Sequence, residues 1–239
     1  MTLVLLPGLL CDASVWHDML PTLQAHSPCL VASYGILNTL ESMAEQVLQT
    51  APAGPLAVAG HSMGGRVALE MLRQQPSRIQ RLALMDTGFE ALAPGGAGEK
   101  ERAGRMALLQ TARQSGMRAM GQQWARGMVH PSRLDSPLFA QILDMIERSN
   151  PEVFAAQIHA LLHRPDATAL LGHIRCPTLL LCGQEDAWSP LARHAQMQDL
   201  MVTAPVELVA IAQSGHMSTM EQPDAVCQAV LRWLDGVPT

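Results

Sequence analysis

Residues 56–72 of the chain read LAVAGHSMGGRVALEML. Residues 56–59 are apolar at every position, as in a strand that is buried on both faces. Residues 60–64 match the pattern G-x-S-x-G, and apolar residues at helical spacing follow them. The pattern alone is common, but a strand, a sharp turn and a helix in this order are the setting that exposes the central serine. The stretch therefore predicts a strand, a turn at Ser62 and a helix.

Five further apolar runs alternate with helical patterns, at residues 3–6, 29–33, 82–85, 178–182 and 206–211. Runs of this kind are typical of parallel strands covered by helices on both faces. We therefore predict an α/β fold with a doubly wound, mostly parallel sheet.

The alternation of strands and helices is interrupted between residues 88 and 173. Residues 91–98 (ALAPGGAG) indicate a linker, and the patterns that follow are helical only. We predict that residues 1–90 and 171–239 form the two parts of one core domain. Residues 91–170 are predicted to form an all-helical cap inserted between two strands of the sheet.

Composition argues against several classes of function. The 239 residues carry 16 Lys and Arg against 21 Asp and Glu, and only eight aromatic side chains, which argues against nucleic-acid binding. No apolar stretch approaches the roughly 18 residues of a membrane span. The five cysteines are dispersed along the chain, a pattern that indicates reduced thiols rather than disulfides. The apolar start of the chain lacks the basic residues of an export signal, so we predict a cytoplasmic protein.

The inserted segment differs in charge from the rest of the chain. Residues 90–164 carry nine basic and seven acidic side chains, whereas the remainder has seven basic and fourteen acidic ones. A basic cover over a pocket favours acidic substrates or an acidic carrier protein. Solvated helix faces rich in arginine explain the same charge, and we favour this simpler interpretation.

Three residues at predicted strand ends are candidates for catalysis. A serine hydroxyl is a poor nucleophile until a base removes its proton, so Ser62 needs a histidine and an orienting carboxylate. His216 follows the last strand, and Asp186 follows the strand at 178–182. Asp86 also ends a strand and is the alternative acid, with Glu185 as a further one. The order Ser62, Asp186, His216 is that of the α/β hydrolases.

Acyl transfer also needs two hydrogen-bond donors for the developing oxyanion. We expect them to be the backbone N–H groups of Met63, which follows the serine, and of Leu9 in the loop after the first strand. His159 and His163 have a spacing used by metal ligands but no third ligand near them. We predict no metal and no organic cofactor.

Together these segments resemble the α/β-hydrolase superfamily, in its esterase- and lipase-like group with a helical cap. The resemblance covers essentially the whole chain and rests on five segments in order: LVLLPG (3–8) with Trp16, GHSMGG (60–65), LALMDTG (82–88), PTLLLCGQEDAWSP (177–190) and QSGHMSTMEQP (213–223). Similar proteins include carboxylesterases, lactonases, thioesterases, C–C bond hydrolases and perhydrolases.

The chain departs from this family pattern in three places. Pro7-Gly8 stands where the family usually has His-Gly, so a hydrogen bond that normally steadies the oxyanion loop is missing. The loop at residues 33–39 lacks the usual family sequence. The opening antiparallel hairpin is also absent, which leaves six parallel strands with residues 29–33 at an edge.

We therefore expect a serine hydrolase that cleaves a small or medium carboxylic ester, lactones included, through an acyl-enzyme. Its expected partner is this small-molecule substrate, with no nucleic acid and no membrane. A C–C bond hydrolase or a cofactor-independent oxygenase is the alternative on the same fold. A ligand-binding protein without activity is a third possibility. The sequence leaves the oligomeric state open.

Overall fold

Six strands form a parallel sheet in the computed structural model, which describes residues 1–236. They are β1 (Thr2–Leu6), β2 (Cys29–Val31), β3 (Leu56–His61), β4 (Ile79–Met85), β5 (Thr178–Gly183) and β6 (Val206–Ile211). Their order across the sheet is β2-β1-β3-β4-β5-β6, and all neighbouring pairs are parallel. The chain runs from β1 outward to β2 and then returns to place β3 on the other side of β1. The loops that follow β1 and β3 therefore leave the sheet next to each other at its carboxyl edge, where open α/β sheets bind ligands.

Eleven helices are described within residues 1–236. They are α1 (Leu20–His26), α2 (Leu40–Thr50), α3 (Met63–Gln74), α4 (Gly96–Ser115), α5 (Met117–Trp124), α6 (Pro137–Glu147), α7 (Pro151–Leu162), α8 (Thr168–Leu171), α9 (Leu191–Leu200), α10 (Ser218–Glu221) and α11 (Pro223–Asp235). Helix α2 packs beside α3, and α1 packs beside α11. Right-handed crossovers place these two pairs on opposite faces of the sheet.

The predicted α/β fold is confirmed, and the bounds of individual strands differ from the apolar runs. Strand β2 ends at Val31 rather than at residue 33, because it lies at the sheet edge and is only half-buried. Strand β4 begins at Ile79, three residues before the predicted run, since the exposed Gln80 interrupts the apolar pattern there. The interior strands β1, β3 and β5 are almost entirely buried.

Helices α4 to α8 lie between β4 and β5, in the segment for which the sequence predicted helices only. Helix α4 begins at Gly96, inside the predicted linker. Helix α7 begins as predicted, with Pro151 in its first turn and the side chain of Asn150 accepting a hydrogen bond from Val153 N at 2.9 Å. Phe154, Ile158 and Leu161 are buried on one face of this helix. Among residues 1–236 no helix combines the length and the apolar character needed to cross a bilayer.

Candidate active site

Ser62 lies in the turn between β3 and α3 with φ 55° and ψ −117°, a conformation that residues with a side chain rarely adopt. The turn brings backbone segments very close together. A Cβ at Gly64 would overlap the carbonyl oxygen of Leu6, and one at Gly60 would overlap the backbone of Gly64. Glycine at both positions therefore permits the turn that presents the Ser62 side chain at the carboxyl edge of the sheet.

The structure brings Ser62, His216 and Asp186 into one hydrogen-bonded chain. Nε2 of His216 is 2.8 Å from Oγ of Ser62, and Nδ1 of His216 is 2.8 Å from Oδ2 of Asp186. Because an ionised carboxylate only accepts hydrogen bonds, the ring proton lies on Nδ1 and donates to Asp186. Nε2 is then free to accept the proton of the Ser62 hydroxyl. This arrangement can remove a proton from Ser62.

Asp186 is held as an ionised carboxylate. Burial alone would raise its pKa, but the charge and hydrogen bond of His216 bring the pKa below the ordinary value. Its Oδ1 accepts hydrogen bonds from the backbone N–H groups of Trp188 and Ser189, at 2.8 and 2.9 Å. These two bonds fix the carboxylate plane and leave Oδ2 for His216.

Asp86, the alternative acid, does not contact the His216 ring. It is fully buried at the end of β4 with φ 48°, and it accepts hydrogen bonds from Gly183 N at 2.9 Å and from Oγ of Ser218. Burial and the nearby charge of Asp186 raise its pKa well above the ordinary value. Through its two hydrogen bonds Asp86 joins β4, β5 and α10. Glu185 accepts a hydrogen bond from Ser214 N at 3.0 Å, on the loop before His216.

The two predicted oxyanion donors, the N–H groups of Leu9 and Met63, belong to residues that line the same cavity as Ser62. Neither N–H donates a hydrogen bond to another group within residues 1–236. Both residues are almost fully buried. An unpaired buried N–H favours an acceptor, so these positions suit a developing negative charge.

The loop that carries Leu9 has two supports where the usual histidine is replaced by Pro7. Oη of Tyr34 donates a hydrogen bond to the carbonyl oxygen of Pro7 at 3.2 Å. The backbone N–H of Leu10, which has φ 57°, donates to Oε1 of Gln157 at 2.8 Å. Gln157 belongs to α7, so the inserted helices directly hold the loop.

Glu221 and Met128 fix the loop that carries His216. The buried Glu221 carboxylate accepts from the N–H groups of His130, Gly215 and Met217, at 2.7, 2.9 and 3.3 Å. The backbone N–H of His216 donates to the carbonyl oxygen of Met128 at 2.6 Å. The position of the imidazole thus depends on the segment between α5 and α6.

A cavity of about 920 Å³ opens beside Ser62. Its volume suits a small organic molecule. Its apolar lining residues are Leu9, Met63, Leu108, Trp124, Met128, Phe154, Leu161 and Trp188. Its cationic lining residues are Arg66, Lys100, Arg105, Arg164 and Arg193. The Trp188 ring also packs against the His216 ring, with centroids 5.1 Å apart.

His159 and His163 do not form part of this site. Their rings stack 4.1 Å apart, and Nδ1 of His159 donates to the carbonyl oxygen of Asn38 at 2.9 Å. Within residues 1–236, no three His, Cys, Asp or Glu side chains are grouped as metal ligands. The five cysteines are all free thiols.

Several residues of the site escaped the sequence analysis. Tyr34 and Gln157 lie far along the chain from the loop they support, and no local pattern marks them. Glu221 lies only a few residues after His216, but the sequence does not show that its side chain turns back to the loop. Arg66 carried a usable signal, because the predicted helix begins directly after Ser62 and Arg66 falls in its first turn.

Comparison with known proteins gives a consistent result. The model of the alpha/beta hydrolase family matches residues 3–229. A pimeloyl-[acyl-carrier protein] methyl ester esterase of Aromatoleum aromaticum is 26% identical over 93% of this chain and 93% of its own. The polyketide synthase ThaQ of Burkholderia thailandensis is 26% identical over 97% of this chain, which spans only 12% of that much longer protein. A thermophilic esterase of Thermogutta terrifontis, solved with malate bound, has a TM-score of 0.87 and 27% identity, covering 100% of this chain and 91% of its own.

Proposed function

The chain belongs to the alpha/beta hydrolase family, and on this premise we propose that it is a serine hydrolase that cleaves a small or medium carboxylic ester, lactones included. The hydrogen-bonded chain from Asp186 through His216 to Ser62 carries the proposal, since each of its two contacts measures 2.8 Å. The esterases among the similar proteins support the same substrate class.

In the first step Oγ of Ser62 attacks the carbonyl carbon of the ester while Nε2 of His216 takes the hydroxyl proton. Asp186 stabilises the imidazolium that forms and keeps the ring oriented. The carbonyl oxygen becomes an oxyanion, and the N–H groups of Met63 and Leu9 donate to it.

The tetrahedral intermediate then collapses, the bond to the alcohol breaks, and His216 returns its proton to the leaving alkoxide. The product is an ester of Ser62, the acyl-enzyme. Water attacks this ester, again with His216 as the base, and releases the carboxylic acid and the free Ser62 hydroxyl. No metal or organic cofactor takes part in these steps.

We further propose that the helices within residues 91–170 act as a cap over the serine. Leu108, Trp124, Met128 and Phe154 of this segment line the cavity beside Ser62. A cap of this kind excludes water from the site and sets the size of the acyl group that the cavity accepts.

The test is the hydrolysis of 4-nitrophenyl esters from acetyl to octanoyl, with Ser62→Ala as the control protein. We expect turnover by the wild type and a loss of at least about 10³-fold in kcat in the variant. The chain length with the highest kcat/KM reports the size of the acyl pocket. A folded wild-type protein without turnover would contradict the ester proposal and favour a C–C bond hydrolase, an oxygenase or a binding protein.

A further inference from the structure

The lining of the cavity carries more positive charge than its own carboxylates neutralise. Two glutamates, Glu90 and Glu101, line the cavity with its five cationic side chains. Asp86 also borders it, but both of its oxygens accept hydrogen bonds within the fold, from Gly183 N and Oγ of Ser218. This leaves an excess of positive charge next to Ser62.

Glu101 is fully occupied by two of the arginines. Nη1 and Nη2 of Arg164 donate to its two oxygens at 2.8 and 2.9 Å, and Nε of Arg105 donates to Oε1 at 2.9 Å. Although burial raises its pKa, these arginines bring the pKa of Glu101 down to about 2. Glu101 is therefore ionised and neutralises part of the Arg105 and Arg164 charge.

Arg66 has no carboxylate partner within 4 Å in the described part of the chain. Its one hydrogen bond goes from Nη1 to the carbonyl oxygen of Glu90, at 2.8 Å. Burial and the neighbouring charges of Arg164 and Arg193 lower its pKa to about 9. A guanidinium in these surroundings is stabilised by an anion.

The side chains of Arg193 and Arg66 both pass close to Gly88. A Cβ at Gly88 would be 2.9 Å from Nη2 of Arg66 and 3.1 Å from Cδ of Arg193. Nε of Arg193 is 3.6 Å from a carboxylate oxygen of Glu90, a side chain that is 52% exposed. The two guanidinium groups thus come together on one wall of the cavity, where one anion can contact both.

Arg66 also has a fixed relation to Ser62. It lies in the first turn of α3, which begins directly after Ser62, and both residues line the same cavity. One molecule bound in this cavity can therefore contact both the Ser62 hydroxyl and the Arg66 guanidinium. The charge of the inserted segment is not explained by solvated helix faces alone, because Arg105 and Arg164 face this cavity.

We infer that Arg66 and Arg193 bind a second, ionised carboxyl group of the ester, so that the preferred substrates are short esters that carry a free carboxylate. This inference rests on the proposed function for the ester half of the substrate. The anion site itself is a property of the arginines and can be tested without turnover.

The activity test compares esters that differ only in the second carboxyl group. One pair is monoethyl and diethyl adipate, which varies the acyl side. The other is 4-acetoxybutanoate and its methyl ester, which varies the alcohol side. We expect kcat/KM to be at least about tenfold higher for the acid in one of the pairs, because one charge-assisted contact contributes this much. The pair that shows the preference identifies the half of the substrate that Arg66 contacts.

The variants Arg66→Gln and Arg193→Gln should each lower this acid-to-neutral ratio by about tenfold. The matched control is Arg118→Gln, which removes the same charge from the exposed surface of α5, where Arg118 pairs with Asp144 and Glu147. The ratio should not change in this control. Far-ultraviolet circular dichroism checks that each variant is folded. If one arginine variant does not fold, the other still tests the inference.

The outcomes separate the inference from the proposed function. Hydrolysis of 4-nitrophenyl acetate that needs Ser62, without a preference for the acid in either pair, would overturn the inference and leave the proposed function standing. If no ester is hydrolysed, the anion site is tested by calorimetry on the Ser62→Ala protein. The measurement compares the binding of adipate with that of its neutral counterpart adipamide. Adipate binding that is stronger than adipamide binding and is lost in Arg66→Gln would support the site. Equal binding of the two would overturn it.

Discussion

Nε2 of His61 donates a 2.8 Å hydrogen bond to the backbone carbonyl oxygen of His216. The residue before the proposed nucleophile thus holds the backbone of the proposed base. His61 is fully buried, and burial lowers its pKa to about 4, so it is neutral at ordinary pH. This contact makes His61 a positioning residue.

We expect His61→Leu to lower kcat by at least about tenfold with a smaller change in KM. The substitution leaves the buried carbonyl of His216 without a donor, which costs about 1–3 kcal/mol and allows the imidazole to shift. His61→Gln keeps an N–H of similar reach and should retain more of the activity. Steady-state kinetics on 4-nitrophenyl butyrate compares the two, and an equal loss in both would refute the positioning role.

Asp186→Asn and Asp86→Asn should differ strongly in activity. At position 186 the amide cannot stabilise an imidazolium, and it favours the wrong tautomer of His216, so kcat should fall by about 10³-fold or more. At position 86 the side chain does not contact the His216 ring, and burial raises the pKa of the carboxyl group that the amide replaces, so kcat should fall by less than about tenfold. The kcat of both variants at pH 8 checks the assignment of the acid, and comparable losses would leave Asp186 without its proposed role.

Asp86 also makes a prediction about stability and pH. Its pKa is raised in the folded protein, whereas the unfolded chain has a carboxyl pKa of about 3.9. The folded state therefore binds more protons above pH 4, and the contribution of Asp86 to stability is lost as the pH rises. Asp86→Asn does not titrate, so its free energy of unfolding relative to the wild type should increase from pH 4 to pH 8. Urea unfolding at several pH values measures this difference, and a constant difference would show that Asp86 is ionised in the fold.

Gln157 should affect catalysis from outside the proposed triad. Gln157→Met removes the acceptor for Leu10 N and should lower kcat by about tenfold, because the neighbouring Leu9 N–H acts on the oxyanion in the transition state. The exposed Gln123 provides a matched control in Gln123→Met. Kinetics that separate kcat from KM distinguish this effect from weaker substrate binding. A change in KM alone would place Gln157 in the binding pocket instead.

Much of the fold could be predicted because its interior strands are buried on both faces. The runs that became β1, β3 and β5 are almost entirely apolar, so each is recognisable by itself. Strand β2 at the edge and the polar start of β4 were less well defined, since exposed positions there interrupt the apolar pattern.

Some residues of the candidate site could likewise be predicted from the sequence, and others could not. Ser62, His216 and Asp186 each follow a recognisable strand, so their positions along the chain placed them at one edge of the sheet. Gln157 contacts Leu10 from 147 residues away, and this contact depends on how the inserted helices meet the sheet. Hydrophobic periodicity predicts the helices but does not determine their orientation relative to the sheet.

We propose that Ser62 forms a covalent acyl intermediate, which requires a base that activates its hydroxyl. Intact-protein mass spectrometry after treatment with a fluorophosphonate tests it directly, because this reagent phosphonylates a serine only when a base activates it. We predict one added phosphonyl group on the wild type, located on Ser62 by peptide mapping, and none on Ser62→Ala. A folded wild-type protein that stays unmodified, or a Ser62→Ala protein that is labelled equally, would contradict the account.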